Sequence, residues 1–406
     1  MKKIIKTIIT AIILTGAVAC EKEAKLQLAD LKVELSFAEE FKTESTEGVK
    51  VVISNVVDNV TKEITADATG IVIFKGITSG IYNVSASKEK TVSLVLNGTA
   101  NDIAVAANST AEVKLVLNGK PSADDFVIKE IYTCGSKVPG VLFKDQFIEI
   151  YNNTDKTLYA DGIVVAVLTG EAGQTVPGKP INLPLDKYTY SENVAKVAGS
   201  GKDYPVEPGK SFIITMNAID FSANFTEGST IDKNFYPDLS GADMEFSCHE
   251  FLKEQGLSPN TFFDVNNADV PDVEIVYLSN VVNMAMFNID SNGSSIAIFR
   301  DGENFNRNDL VESPYNTGDN KKMYLRIPNE IIIDGVDVLS NSAAGSFKRL
   351  NYMIDAGFTY LKADGKANYS GMSSRRKMGA NGKLVDTNNS ANDFKAIPFP
   401  TPRIFK

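Results

Sequence analysis

Few side chains in this 406-residue chain are of the types that carry out catalysis. His249 is the only histidine, so a Ser-His-Asp triad would depend on it, and no Gly-x-Ser-x-Gly turn supplies a nucleophile. The sequence also lacks a His-Glu-x-x-His helix and a glycine-rich phosphate loop. The 51 acidic residues could include a catalytic pair, but the sequence does not locate one. The sequence therefore predicts a protein that is not an enzyme and needs no cofactor, with a hydrolase site in a loop as the alternative.

Three short segments carry atoms that can bind metal ions. Residues 243–250 combine carboxylates with Cys248 and His249, although adjacent Cys and His side chains rarely reach one ion. Residues 288–293 open like a calcium loop, but Phe299 stands where a bidentate glutamate is needed. Residues 386–393 are rich in Asp and Asn, which also form turns without an ion. We therefore predict no metal site and interpret the three segments as a loop or short helix, a hairpin turn and Asx turns.

Cys20 follows a segment with the layout of a secretory signal peptide. Three lysines among the first six residues precede the apolar run Ile8–Leu14, and the small residues Ala17–Ala19 suit a cleavage site. The apolar stretch is shorter than the roughly 20 residues of a membrane-spanning helix. The sequence therefore predicts a signal peptide at residues 1–19 that is removed on export.

The cysteine directly after the small residues resembles the bacterial lipoprotein signal. That resemblance implies that Cys20 becomes the new N-terminus and carries acyl chains, palmitate among them. Two or more chains hold a protein stably in a membrane, at about 0.8 kcal/mol per buried CH₂ group. The expected location is the outer membrane, with the protein anchored by lipid and facing the cell surface. A signal that is cleaved without lipid attachment is the alternative.

The remaining cysteines, Cys134 and Cys248, form an even pair in a compartment that permits disulfides. Their separation in the sequence says nothing about their distance in space. A disulfide between Cys134 and Cys248 and two buried free thiols are therefore both open at this point.

The composition limits the classes of partner. Hydrophobic residues make up 43% of the chain and charged residues 23%, which is typical of a globular protein. The net charge of −10 would repel a phosphate backbone, and Arg375–Lys377 is too small a basic cluster to compensate. We therefore expect no nucleic-acid partner, and the sequence leaves the oligomeric state open.

Short strand patterns at regular spacing fill the first part of the chain. Residues 31–37 alternate apolar and polar side chains, which is typical of a half-buried strand. Similar patterns recur up to Leu117, with turns marked by Gly and Asn, and they favour an antiparallel sandwich. The strand at Gly70–Phe74 and the next at Gly80–Ala86 resemble prealbumin-like modules related to carboxypeptidase regulatory domains. That resemblance covers about residues 28–118.

A second strand pattern starts after a linker rich in turn-forming residues. In Phe147–Asn152, Ile148 and Ile150 should face the core, while Phe147, Glu149 and Tyr151 share the opposite face. This segment, with Ile128 and Glu130 before it and Leu158–Gly162 after it, resembles the lamin-tail-like β-sandwich of secreted bacterial proteins. The whole chain resembles an uncharacterised family of Bacteroides-type surface lipoproteins, in part through its ending at Ser374–Lys377 and Asp386–Ser390.

These patterns predict an all-β fold with two antiparallel β-sandwich domains, the second carrying long loop insertions. The predicted division is a signal peptide (1–19), a tether (20–27), a prealbumin-like sandwich (28–118), a linker (119–125) and a lamin-tail-like sandwich with insertions (126–406).

Two polar insertions, about residues 170–204 and 217–272, lack a strand pattern. Unpatterned loops of that length are usually functional or disordered. The second insertion is rich in aromatic residues, and we predict a recognition surface there, formed by Phe246, Phe251, Phe262 and Phe263.

The leading functional hypothesis is a non-enzymatic binding or interaction module at the outer membrane. The first alternative is an accessory lipoprotein that captures a ligand for a TonB-dependent transporter, which would then be its partner. The second alternative is a hydrolase with its site in the insertions. Carbohydrate binding is disfavoured by the lack of tryptophan, because the 14 Tyr and 22 Phe residues fall mostly in strand patterns.

Overall fold

The computed structural model describes residues 27–405 except 59, 92–93, 120–123, 170–182, 280–284, 315 and 317–320. Cys20, the signal segment and most of the predicted linker lie outside the described residues. Within them, helical structure is limited to short segments. These are α1 (His249–Glu254), α2 (Ser390–Asp393) and 3-10 turns at Glu39–Phe41, Phe221–Asn224, Lys233–Phe235, Asn329–Ile331 and Gly345–Phe347. No helix in this part of the chain is long and apolar enough to cross a membrane.

Seven strands come before the linker. They are β1 (Leu28–Phe37), β2 (Lys50–Asn55), β3 (Thr61–Thr65), β4 (Ile71–Thr78), β5 (Gly80–Thr91), β6 (Leu94–Val105) and β7 (Thr110–Leu117). They form a three-stranded sheet in the order β4-β1-β7 and a four-stranded sheet in the order β3-β2-β5-β6. We call this set of strands the N-terminal unit.

The N-terminal unit is held together by the alternation predicted from its sequence. In β1, Leu31, Val33 and Leu35 are buried while Lys32 and Glu34 are not. These apolar side chains pack in one cluster with those of the four-stranded sheet, such as Ile53. Burying each large aliphatic side chain contributes about 1.5–3 kcal/mol, so this shared core is what joins the two sheets.

The other strands follow the linker. They are β8 (Phe126–Tyr132), β9 (Phe147–Asn152), β10 (Leu158–Tyr159), β11 (Ile163–Leu168), β12 (Tyr188–Lys196), β13 (Pro205–Val206), β14 (Ser211–Thr215), β15 (Met244–Glu245), β16 (Glu274–Leu278), β17 (Ile296–Arg300), β18 (Leu310–Glu312), β19 (Met323–Pro328), β20 (Ile332–Val336), β21 (Val338–Leu339), β22 (Thr359–Tyr360), β23 (Ser373–Arg376) and β24 (Phe394–Ile397). We call this set the C-terminal unit.

The C-terminal unit is built on two large sheets. One runs in the order β15-β14-β9-β8-β23-β24, and the other in the order β18-β19-β12-β11-β17-β20 with β16 also paired to β12. The main core includes side chains of both sheets, among them Ile148, Ile150, Val165 and Ile298. A separate apolar cluster that includes Val164 and Phe299 covers the other face of the second sheet. Because both faces of that sheet are covered, β11 can be a continuous apolar run.

The outer face of β8 and β9 is also covered, here by the end of the chain. Thr401 donates its backbone N–H (2.8 Å) and its hydroxyl (2.6 Å) to the Glu130 carboxylate. The Lys129 ammonium pairs with Glu149 at 2.6 Å and lies 4.9 Å from the ring centre of Phe405. The prediction that Ile148 and Ile150 face the core is confirmed, and the opposite face, which carries Glu149, is buried as well.

The predicted all-β sandwich fold is confirmed. Among the described strands, three pairs run parallel, β1 with β7, β14 with β15 and β21 with β22, and the remaining pairs of adjacent strands are antiparallel. The alternation of side chains specifies which face of a strand is buried and not the direction of its neighbour. The predicted domain boundaries stay a prediction.

Candidate functional site

The two described cysteines do not form the disulfide considered above. Cys134 and Cys248 are both buried and free. They belong to different apolar clusters, which explains why their sulfur atoms do not meet. Burial raises the pKa of the Cys134 thiol to about 11 and raises that of Cys248 further above its ordinary value. Both side chains therefore act as small apolar groups and not as nucleophiles.

The aromatic surface predicted in the second insertion is not formed by its four members together. Phe246 is fully buried and stacks on Phe287 with ring centres 4.4 Å apart. Phe251 and Phe263 pack against the same core, and only Phe262 is mostly exposed (55%). The prediction is therefore wrong for Phe246, because that side chain anchors the insertion to the core and cannot meet a partner.

The second insertion is ordered by its own polar groups. Glu245 is buried and accepts hydrogen bonds from the backbone N–H groups of Ala218 and Asn267, the latter at 2.6 Å. The Asn217 side-chain amide donates to the carbonyls of Lys144 (2.8 Å) and Phe263 (2.9 Å). Since these side chains satisfy local backbone groups, they are not available as a set for a ligand.

The oxygen-rich segment 386–393 surrounds an arginine. Arg376 is buried and pairs with Asp334, with Asp386 (3.2 Å) and with Asp393 (3.5 Å). Burial raises the pKa of Asp393 to about 7, although Arg376 acts in the opposite direction. The described residues contain no grouping of three or more His, Cys, Asp or Glu side chains that could hold a metal ion.

A cleft between the N-terminal and C-terminal units is the best candidate for a binding site. Its volume is about 370 Å³, which falls in the range of small-molecule sites. Strands β2, β3, β5 and β6 line one wall. The other wall consists of Ser342, residues 357–361 and residues from Asn389 to Ala396. We call this space the interdomain cleft.

Small uncharged polar side chains form the first wall of the cleft. Thr61, Ser54 and Asn83 are partners across β3, β2 and β5, and Ser85 is the partner of Thr99 across β5 and β6. Cross-strand partners project from the same face of a sheet. The alternation that buries the apolar residues of these strands in the core therefore turns hydroxyl and amide groups toward the cleft.

Aromatic rings and one glycine shape the second wall. Phe358 and Tyr360 lie with ring centres 6.1 Å apart and planes tilted by 48°. Phe358 is buried, Tyr360 is half-buried, and both residues line the cleft. A Cβ at Gly357 would collide with the Asn389 side-chain oxygen and crowd Ala391. Only glycine at 357 therefore lets Asn389 occupy its position.

Asn389 is the most unusual residue of the cleft. Its side chain is 1% exposed and lines the cleft, and within the described part of the chain neither Nδ2 nor Oδ1 has a hydrogen-bond partner. It stands at the N-cap position of α2, where an Asn side chain normally accepts a backbone N–H, but no such bond is formed. A buried polar group without a partner costs about 1–3 kcal/mol. Such a cost in a cavity wall is typical of a group reserved for a ligand.

The lining of the cleft carries little charge. Among the described residues that line it there is no Asp or Glu, and Lys395 is the only ionic residue. Lys395 is exposed, so it lies at the edge of the cleft and not in its wall. The cleft therefore offers neutral hydrogen-bonding groups and aromatic surface to a ligand.

The two units are bonded to each other at separate places near the cleft. The Ser342 hydroxyl donates to the Val56 carbonyl (2.8 Å), and the Asn83 amide donates to the Ser342 carbonyl (3.2 Å). Elsewhere, the Asn97 amide donates to the Thr387 carbonyl at 2.8 Å. These bonds restrict rotation of one unit against the other and so preserve the shape of the cleft.

Sequence reasoning did not find this cleft because its two walls, which end at Asn101 and begin at Ser342, are more than 240 residues apart in the chain. The first wall did leave a signal. The outward positions of β2, β5 and β6 carry Ser54, Asn83, Ser85, Thr99 and Asn101. Exposed strand positions commonly carry charged residues, and other positions of β3 do so. The uncharged outward face of β2, β5 and β6 therefore indicates contact with something other than bulk water.

The fold is all-β with a candidate site between its two units, and comparison with known proteins found a matching family model. The family model described as "Protein of unknown function (DUF4876)" matches residues 207–401, which include the second wall of the cleft. The chain is similar to a DUF4876 family protein from Bacteroides thetaiotaomicron VPI-5482, known from a crystal structure. The two share 26% identity with a TM-score of 0.53, over 90% of this chain and 94% of that chain.

Two other solved structures are less similar. A DUF3823 family protein from Bacteroides uniformis has 9% identity and a TM-score of 0.17, over 74% of this chain and 98% of that chain. The Bacillus anthracis TIE protein has 17% identity and a TM-score of 0.18, over 47% of this chain and 31% of that chain. TM-scores this low carry no conclusion about fold. A comparison with curated proteins gave no match.

Proposed function

We propose that this protein is a non-enzymatic binding module that holds a small ligand in the interdomain cleft. The observation that supports the proposal most directly is the Asn389 side chain, which is buried in the cleft wall without a hydrogen-bond partner among the described residues. A ligand that bonded to this amide would remove a penalty that the empty protein carries.

The proposal includes attachment to the outer membrane through acyl chains on Cys20, with the cleft on the cell-surface side. It also treats the N-terminal unit as a prealbumin-like spacer and the C-terminal unit as a lamin-tail-like sandwich. The support for these points is the sequence pattern before Cys20 and the strand motifs of each unit.

A pair of matched variants tests the proposed site. Ser85→Trp places a large ring in the cleft. Ser87→Trp places the same ring on the same face of β5, but Ser87 lies two residues further along the strand and does not line the cleft. Wild-type and variant proteins would be incubated with extracts of the producing cells and of their growth medium. Retained small molecules would then be identified by mass spectrometry.

We expect at least one molecule to be retained by the wild type and by Ser87→Trp but not by Ser85→Trp. Thermal melts of the three proteins would check that both variants are folded. The proposed function is wrong if every molecule that the wild type retains is also retained by Ser85→Trp, or if the wild type retains no molecule.

A further inference from the structure

We propose that the ligand of the interdomain cleft is a short, uncharged saccharide. This inference rests on the proposed function, since it names the ligand class of the same site. It departs from the expectation that the lack of tryptophan disfavours carbohydrate binding, because it follows from the charge, the hydrogen-bonding groups and the aromatic residues of the cleft.

The charge of the lining excludes most ionic ligands. A cation would require carboxylates, and the described residues of the lining supply none. A phosphate or carboxylate would require several positively charged donors, and among the described lining residues only Lys395, which is exposed, carries a positive charge. The cleft can therefore remove water from an uncharged ligand without a large desolvation penalty, whereas an ionic ligand would lose its hydration without gaining a charged partner.

The hydrogen-bonding groups of the cleft favour a ligand rich in hydroxyl groups. Asn389 carries an amide that can both donate and accept, and Ser54, Ser85 and Thr99 carry hydroxyls that can do the same. A sugar hydroxyl is also both a donor and an acceptor, so each hydrogen bond between the ligand and these side chains can form with either partner as the donor. Nδ2 and Oδ1 of Asn389, which have no partner among the described residues, supply one donor and one acceptor for such hydroxyls.

The aromatic surface suits the remaining face of a sugar ring. A pyranose has C–H groups on its flat faces and hydroxyls around its rim. The negatively charged face of an aromatic ring attracts such C–H groups. Tyr360 is half-buried and lines the same cleft whose opposite wall carries hydroxyl groups. One saccharide ring can therefore meet both kinds of surface at once.

An extended peptide is the rival ligand. Strand β24 ends its sheet, and a peptide could pair with that edge. However, β2, β5 and β6 present a face to the cleft, and β2 and β5 have paired backbones on both sides. Most of the polar lining is therefore made of side chains, which favours a ligand with many separate hydroxyl groups over one that bonds through its backbone.

Isothermal titration calorimetry on the full mature chain tests the inference. The panel comprises neutral oligosaccharides built from hexoses and N-acetylhexosamines, the corresponding oligosaccharides with uronic acids, and uncharged short peptides. We expect a neutral oligosaccharide to bind. Its affinity should change little between about 0.1 M and 1 M NaCl, although charge screening increases strongly over that range.

Variants connect the binding to the cleft. Asn389→Leu and Tyr360→Leu should each weaken binding of the saccharide by about tenfold or more, and Ser87→Trp should not weaken it. Thermal melts of each variant would show that it is folded.

Four results would overturn the inference. They are binding of the peptides alone, binding of the acidic saccharides alone, saccharide binding that neither Asn389→Leu nor Tyr360→Leu weakens, and no saccharide binding at all. If the extract experiment nevertheless yields a molecule that depends on an open cleft, the proposed function stands and only the saccharide class is wrong.

Discussion

Asn389→Leu should make the protein more stable while it weakens ligand binding by about tenfold or more. Asparagine and leucine have similar side-chain size, so the change preserves packing while it removes the amide. An N-cap asparagine usually contributes about 0.5–2 kcal/mol through its capping bond. That contribution is not lost here, because the Asn389 side chain makes no capping bond.

The magnitude follows from the two unpartnered amide atoms. Leaving a buried polar group unsatisfied costs about 1–3 kcal/mol, and leucine removes that cost. We therefore expect the free energy of unfolding to rise by about 1–3 kcal/mol. For a domain of 150–250 residues, this corresponds to an increase of roughly 2–4 °C in Tm for each kcal/mol.

Asn152 provides a matched control for the stability measurement. It is also fully buried, but its amide donates to the carbonyls of Lys156 (2.8 Å) and Val206 (2.7 Å) and accepts from Thr154. Asn152→Leu should therefore lower the free energy of unfolding by roughly 2–4 kcal/mol. Denaturant titrations of both variants would give the comparison.

Two results would refute this reasoning about Asn389. If Asn389→Leu destabilises the protein as much as Asn152→Leu does, the Asn389 amide has a structural partner after all. If it stabilises the protein but leaves ligand binding intact, the amide does not serve the ligand.

Three further predictions concern the core, the pH dependence and the anchor. Phe246→Ala should lower the free energy of unfolding by about 3–5 kcal/mol, and Phe262→Ala by at most about 1 kcal/mol, as denaturant titrations of both would show. Burial raises the pKa of Asp145 from its ordinary value of 3.8 to about 7, so the folded state holds a proton that the unfolded state releases between those pH values. Stability should fall as pH rises through this window, by at most about 1.4 kcal/mol per unit, and Asp145→Asn should remove this part of the slope in melts at pH 5–8. Cys20→Ser should prevent incorporation of radiolabelled palmitate and release the protein from membranes, and a wild type without label would contradict the anchor.

The strands could be predicted because the spacing of apolar residues in the sequence shows which side chains of a strand are buried. The alternation of residues 31–37 matches strand β1, and the apolar run at 163–168 matches a strand that is covered on both faces. The same patterns could not reveal that β1 lies parallel to β7, because the direction of pairing depends on distant chain segments.

The candidate site could not be predicted because it depends on the packing of two units. A count of aromatic residues favoured the 217–272 insertion, but burial turned Phe246 into a core residue. Asn389 looked like part of an ordinary Asx-rich turn in the sequence. Its importance comes from the absence of a capping bond and from its burial beside Gly357, and neither can be read from local sequence.

The bonds between the two units have a consequence for how fast a ligand can come and go. Ser342 and Asn97 connect the units across two separate contacts, so the cleft is already shaped before a ligand arrives. Association would then need no domain closure and would be limited by diffusion and orientation. Differences among related ligands should consequently appear in their residence times. A cleft of fixed width would also select the proposed ligand by size, because longer or branched molecules would not fit between its two walls.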